Sequence, residues 1–269
     1  MTGTASLPMY QFPTMRQAYS RFWGALTDML RAEGFSGVPE ELAFDQPPVP
    51  DEIVPNVLFT QTCGYPLQTI YRDQYRLLAT PSYDAPGCGA MSHSAFVVVR
   101  ADDPAATLED LRGRRFAVNS IHSNSGMNLP RRLVAPLARE GRFFGEVVHS
   151  GSHPRSLEWV RSASADAASV DCLTWAFASD YAPDMIGGLR VLAQTPPSPA
   201  IPFITGRDTP ADQVAALRRA LVKLGSEDAY EGIRKAMRLK SIGLLSAGAY
   251  AAIMNYEQEA HALSYAVIA

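Results

Sequence analysis

Residues 94–100 read SAFVVVR, an almost unbroken apolar run. Side chains along a strand alternate between two faces, so such a run fits a strand covered on both sides. That demands a layered molecule, with helices on both faces of a sheet. Strand-like and helix-like segments alternate along most of the chain in the same way.

Ala5–Tyr10 (ASLPMY) reads as a short strand with a polar tip. From Pro13 to Arg31 the apolar residues Met15, Tyr19, Phe22, Leu26 and Leu30 recur every three or four positions, which predicts an amphipathic helix with Thr14 as its cap. Pro39–Asp51 is a proline-rich linker. Val54–Thr60, Tyr75–Pro81, Arg114–Asn119, Glu146–Ser150, Ala167–Val170 and Leu189–Gln194 read as strands. Short helices are expected between them, and a helix from Asn124 or Ser125 is expected to run to about Glu140, kinked at Pro130 and Pro136. TPPSPAIP suits a crossing segment better than a central strand. From Pro210 the chain is mostly helical. Together these predict an α/β protein of two lobes, each a mostly parallel sheet flanked by helices, with a ligand cleft between them. The expected division is residues 1–98 and 196–269 for lobe A and 99–195 for lobe B. Two crossings of this kind suit a hinge.

Composition narrows the classes of function. Of 269 residues, 47% are hydrophobic, enough for a sizeable core, and 19% are charged. The 24 Lys and Arg against 27 Asp and Glu leave a formal charge of -3. There is no basic stripe, which argues against a nucleic-acid partner. No apolar run reaches the roughly 18 residues of a membrane span. The opening MTGTASLPMY has no basic n-region and no apolar h-region. The expectation is therefore a periplasmic protein if a leader has been removed, and a cytoplasmic one otherwise. Cys63, Cys88 and Cys172 are odd in number and widely spaced. They give neither a disulfide framework nor a metal-ligand pattern, and the five histidines add no metal motif. No metal or other cofactor is expected, and the three thiols are expected to be buried or half-buried.

The informative residues stand where strands end. In NSIHSNSGMN, residues 119–128, a strand gives way to a helix. The first turn of a helix has backbone N–H groups without intrahelical partners, and the helix dipole adds to them. Ser123, Asn124 and Ser125 supply further donors, and Gly126 allows another group close to the backbone. Such a cup suits an anionic oxygen cluster. The absence of GxxxxGK[ST] spacing excludes a nucleotide-hydrolysing loop; an ordinary capping turn is the plainer alternative. The same device recurs at Gln61-Thr62-Cys63-Gly64-Tyr65, at Ser150-Gly151-Ser152-His153, and at Asp171-Cys172-Leu173-Thr174-Trp175. Asp171 has two readings, acceptor for the ligand or partner of His153. Tyr10 and Trp175 are candidate pocket walls. His153 is either an oxyanion donor or simply a first-turn residue, and His93 either touches the ligand or lines the crossing. Tyr71 and Tyr83 are expected to be packing residues. A Cys63 nucleophile with His93 or His153 as its base and Asp171 to orient it (Cys63/His153/Asp171 in the simplest form) is the enzymatic alternative, with nothing in the sequence to place the groups within reach.

These segments carry a resemblance. ASLPMY, LFTQTCGYPL, DLRGRRFAVNSIHSNSGMNLPRRL, GSHPRSL, VDCLTWA and TPPSPAIPFIT stand in the order of the PhnD-like phosphate, phosphite and phosphonate substrate-binding proteins of ABC transporters. The chain resembles that family over nearly its whole length. The resemblance implies the type 2 periplasmic-binding fold, closure of two lobes over a small oxyanion, and docking on an ABC permease. By it, the anion cup falls on Ser123, Asn124, Ser125 and Gly126. The ligand-facing tyrosine falls on Tyr65 beside Gln61 and Thr62, the pocket histidine on His153, and the pocket acid on Asp171. Relatives often carry a tyrosine at the position of His93. The expected protein is non-enzymatic and monomeric, with a cytoplasmic ligand sensor as a further alternative.

Overall fold

A computed structural model describes residues 3–48 and 55–269; the end of the expected linker, residues 49–51, and the expected strand start at Val54 lie outside the described residues. The periodic segment near the N-terminus forms the helix Arg16–Ala32, entered through a 3₁₀ turn, Pro13–Met15. Proline at the head of that turn is pre-set for helical φ and has no N–H to leave unpaired. Thr14 therefore sits inside the turn, and no side chain caps it. The apolar face of the helix, with Phe22, Trp23, Leu26 and Leu30 almost wholly buried, lies against a sheet. Trp23 stacks on Phe59 with centroids 5.4 Å apart, and Phe22 stacks on Phe203 at 5.6 Å. Phe59 and Phe203 themselves stack at 5.3 Å. Each of these rings removed from water stabilises the unit by about 1.5–3 kcal/mol.

The chain divides into two units. The first takes residues up to Asp84, Gly89–Ser92 and Pro199–Tyr250. Its sheet runs in the order Thr4–Ala5, Val57–Gln61, Phe203–Gly206, Tyr75–Tyr83, Leu239–Gly243. The second takes Ala85–Cys88, His93–Ser198 and Ala251–Ala269. Its sheet runs Leu189–Gln194, Ala95–Arg100, Ala167–Asp171, Arg115–Val118, Glu146–His149. Val97, Val98 and Val99 are at most 1% exposed, so the apolar run does mark a strand covered on both faces.

Two features differ from the sequence expectation. Pairing within this α/β architecture is mixed. Thr4–Ala5 is parallel to its neighbour, as is Arg115–Val118 to both of its own. Phe203–Gly206 and Ala95–Arg100 are antiparallel to both neighbours. Each of these two is the first long strand after the chain has passed from one unit to the other, and it runs back against strands built within the unit. The division between the lobes also differs: residues 85–88, 93–98 and 196–198 and everything from Ala251 onward, all expected in lobe A, belong to the second unit. Hydrogen bonds account for the placement of the C-terminus. Asn128 donates to the carbonyl of Ile253 at 3.3 Å, and Arg131 to the carbonyl of Ala266 at 2.9 Å. The amides of Phe143 and Phe144 both donate to Ala269.

Candidate functional site

The segment after Arg115–Val118 winds more widely than expected. Asn124–Asn128 is a π-helical turn, continued by the α-helix Leu129–Val134 and a 3₁₀ turn, Ala135–Leu137. The Asn128 amide donates to the Ser123 carbonyl five residues back, at 3.0 Å. Ser123 caps the turn by accepting the amide of Gly126 at 2.9 Å. Everything from Ser123 to Arg131 is buried. Arg131 donates to Asn128 at 2.7 Å, Asn128 to Asn124 at 3.0 Å, and Asn124 to Ser198 at 2.8 Å. Each side-chain carbonyl in this relay is held by the next donor, which fixes the turn as a rigid unit. π-turns of this kind are frequently found at functional sites.

Gly126 meets its expected need for close approach, and the approaching groups are the protein's own. A Cβ built there would lie 1.8 Å from Asn119 Oδ1 and 3.2 Å from His153 Cε1. Asn119 and His153 thus both rest against the backbone of the turn. Ser125 Oγ lies 3.0 Å from His153 Nε2, and Ser169 Oγ donates to the Ser125 carbonyl at 2.7 Å.

Beside this turn stands a buried ion pair. His93 Nδ1 is 2.7 Å from Asp171 Oδ2, and both side chains are at most 2% exposed. Burial opposes charge on His93, but the Asp171 carboxylate more than offsets it and raises the imidazole above its ordinary value. Burial likewise opposes charge on Asp171, while His93 and the amide of Leu173 hold its pKa below the ordinary value. Asp171 is therefore the partner of His93 and the cap of the helix Cys172–Tyr181. Burial drives His153 the other way, down to about 4, against the pull of Asp171 and with the help of repulsion from His93. His153 is neutral at neutral pH.

Three buried polar atoms here have no hydrogen-bond partner: His93 Nε2, His153 Nδ1 and Asn119 Oδ1. A protonated His93 makes Nε2 a donor. If Ser125 donates to Nε2 of His153, the proton of the neutral ring sits on Nδ1, a second donor without an acceptor. Sealing such groups away from water without a partner is costly, and each keeps unused hydrogen-bonding capacity. Among the described residues, no group of three His, Cys, Asp or Glu side chains is placed to hold a metal ion.

The remaining predicted residues are placed as follows. In the first unit, Gln61, Thr62, Cys63, Gly64 and Tyr65 end the strand Val57–Gln61 and open the short helix Gly64–Gln68; all are buried. Cys63 is the N-cap residue but makes no side-chain cap bond. Gln61 and Thr62 line a small cavity of about 20 Å³ with Ser6 and Thr60. Tyr10 is 4% exposed and packs edge-on against Tyr83, while its carbonyl accepts the Tyr19 hydroxyl at 2.8 Å. Tyr71 and Tyr83 are buried packing residues, as expected. A larger cavity of about 340 Å³ in this unit, lined by Phe35, Asn56, Tyr75 and Arg207, contains none of the predicted residues. In the second unit, His93, Ser123, Asn124, Ser125, Gly126, His153 and Asp171 come together around the turn, and Trp175 lies half-buried one turn into the next helix. The supposed nucleophilic set divides between the units, Cys63 in the first and His93, His153 and Asp171 in the second, where Asp171 holds His93. Asn119 was missed as a site residue. Its only signal was its place at the strand end, first in the polar stretch.

A family model described as the periplasmic substrate-binding protein of phosphonate ABC transporters matches residues 57–250. The chain belongs to that family of transporter substrate-binding proteins. Solved structures share its two-lobe α/β fold. A binding-protein component of an ABC phosphonate transporter from Pseudomonas aeruginosa is 17% identical, covers 98% of this chain and 88% of its own, and superposes with a TM-score of 0.74. PhnD1 from Prochlorococcus marinus, in complex with methylphosphonate, is 14% identical, covers 97% and 98%, and gives 0.70. The alkanesulfonate-binding protein SsuA from Xanthomonas axonopodis pv. citri, bound to MOPS, is 15% identical, covers 98% and 94%, and gives 0.60. No curated protein matches the chain. No helix among the described residues is long and apolar enough to cross a membrane.

Proposed function

We propose that this protein captures a small phosphonate, phosphate or phosphite in the periplasm and delivers it, as a monomer and without turnover, to an ABC permease. The observation that carries the reading is the pair of buried imidazole nitrogens, His93 Nε2 and His153 Nδ1, left without acceptors beside the Ser123–Gly126 turn. A compact oxyanion supplies those acceptors. The Ser125 hydroxyl, by donating to His153 Nε2, keeps that ring's proton on Nδ1, and the first-turn amides add donors at the positive end of the helix dipole. On this reading Gln61, Thr62, Cys63, Gly64, Tyr65 and Tyr10 complete the grip from the first unit, with Trp175 as a wall. Hinge closure then removes water, so each donor bond strengthens as the local dielectric falls. The ligand drives closure only by its greater affinity for the closed form.

A thermal-shift screen with methylphosphonate, 2-aminoethylphosphonate, phosphite, phosphate, sulfonates and small carboxylates tests this, followed by calorimetry on the strongest stabiliser. A phosphorus oxyanion is expected to lead. Ser125→Ala should weaken its binding by about 1–3 kcal/mol, or roughly 5- to 150-fold. Unchanged affinity in that variant, or a screen in which only non-phosphorus ligands stabilise the protein, overturns the reading.

A further inference from the structure

The three thiols were expected to be buried or half-buried, and the fold sets two of them against each other. Cys88 Sγ and Cys172 Sγ are 3.5 Å apart, although 84 residues separate them in the chain. Both belong to the second unit, Cys88 at the end of its short segment Ala85–Cys88 and Cys172 at the start of the helix Cys172–Tyr181. The backbone around them is confined. Gly87 has φ +84°, and a Cβ on it would lie 2.9 Å from Cys172 Cβ, so the segment presses directly on that residue. The Cys172 amide donates to the Ser94 carbonyl at 3.1 Å, which holds the other side. Cys172 is wholly buried, whereas Cys88 is half-buried and reachable from solvent.

We propose that Cys88 and Cys172 are a dithiol–disulfide site, oxidised by a small or protein disulfide, which ties the segment Ala85–Cys88 to the Asp171 end of the strand Ala167–Asp171. The Cys88 thiolate attacks one sulfur of the oxidant R–S–S–R, forming Cys88–S–S–R and releasing one thiol. Cys172 then gives up its proton and attacks the Cys88 sulfur, forming Cys88–S–S–Cys172 and releasing the second. Two protein thiols are oxidised and one oxidant disulfide is reduced to two thiols. The half-buried sulfur is the entry point, and its buried neighbour is the resolving thiol. A periplasmic setting supplies such oxidants. The consequence is local to the pocket, since Cys172 follows the acid that holds His93.

The full-length protein is equilibrated with oxidised or reduced glutathione, quenched in acid, unfolded and alkylated, then weighed intact and mapped without reduction. The reduced protein should show all three thiols alkylated, and the oxidised protein one, with a peptide pair joining Cys88 to Cys172. Cys63→Ser should still lose two thiols on oxidation, and Cys88→Ala none. Reduction should lower the thermal midpoint of the wild type but not of Cys88→Ala. Three alkylated thiols in fully oxidising buffer, a glutathione adduct persisting on Cys88, or a bridge involving Cys63 overturns the proposal. None of these readouts depends on which ligand the protein binds.

Discussion

His93 Nδ1 meets Asp171 Oδ2 at 2.7 Å in an interior that leaves both side chains at most 2% exposed. Each charge is tolerated there only because of the other. Removing one partner strands the second, which for a buried pair costs about 3–5 kcal/mol. His93→Leu should lose that much in urea unfolding, and adding Asp171→Asn to it should recover more than half. Asparagine keeps an acceptor for the Leu173 amide, so the helix cap survives. Losses that simply add would show that the two residues act independently.

His153 predicts a pH limb. Its folded pKa of about 4 lies below the ordinary 6.5, so between those values the unfolded chain binds a proton that the native protein refuses. Stability from this group is complete above pH 6.5 and declines as the pH falls toward 4. The loss should be roughly 1–3 kcal/mol, allowing for the partial exposure of the residue. His93 acts with the opposite sign. Its pKa is raised, so its contribution is complete below 6.5 and fades as the pH rises through the folded value. Urea midpoints across the acid window should fall for the wild type and stay flatter for His153→Gln. An equally steep fall in that variant assigns the limb to other groups.

Gly126→Ala tests the close approach. The added methyl occupies the place of Asn119 Oδ1, which must swing away, and overpacking of this kind costs about 1–3 kcal/mol. In a double-mutant cycle Asn119→Ala should relieve much of it. A cost unaffected by Asn119 would point to His153 as the obstruction.

Asn128→Ala should destabilise the second unit by roughly 1–3 kcal/mol, because Asn124 loses a donor and the Arg131 guanidinium an acceptor in a buried place. Since Asn128 also reaches Ile253, amide exchange should rise in Ile253–Ala262 as well as in the turn. Protection unchanged in that helix would separate the relay from the docking of the C-terminus.

Much of the candidate site's local structure was legible because its signals are local. The run SAFVVVR announced a strand covered on both faces. Glycine among serines and asparagines announced a tight approach at a helix start, and the first-turn residue His153 lay within the same logic. The pairings were not legible. Ala95 stands opposite Asp171 in the antiparallel register, and that brings His93 beside the acid. The same neighbourhood sets Cys172 against Cys88, a contact that spacing along the chain gave no reason to expect. Nor did the strand pattern disclose which strands run backward, since periodicity reports which faces are buried and not direction.

The sequence by itself determined the α/β layers, the polar strand ends, the serine–asparagine turn and the family to which the chain belongs, because periodicity, capping chemistry and motif order are written over a few residues at a time. Tertiary structure alone decided that Asp171 holds His93 rather than His153, that Asn119 fills the space Gly126 leaves, and that the C-terminal helix serves the second unit. Those outcomes depend on strand order and register, which join residues far apart in the chain and make one buried charge or donor tolerable only where another has been brought to meet it.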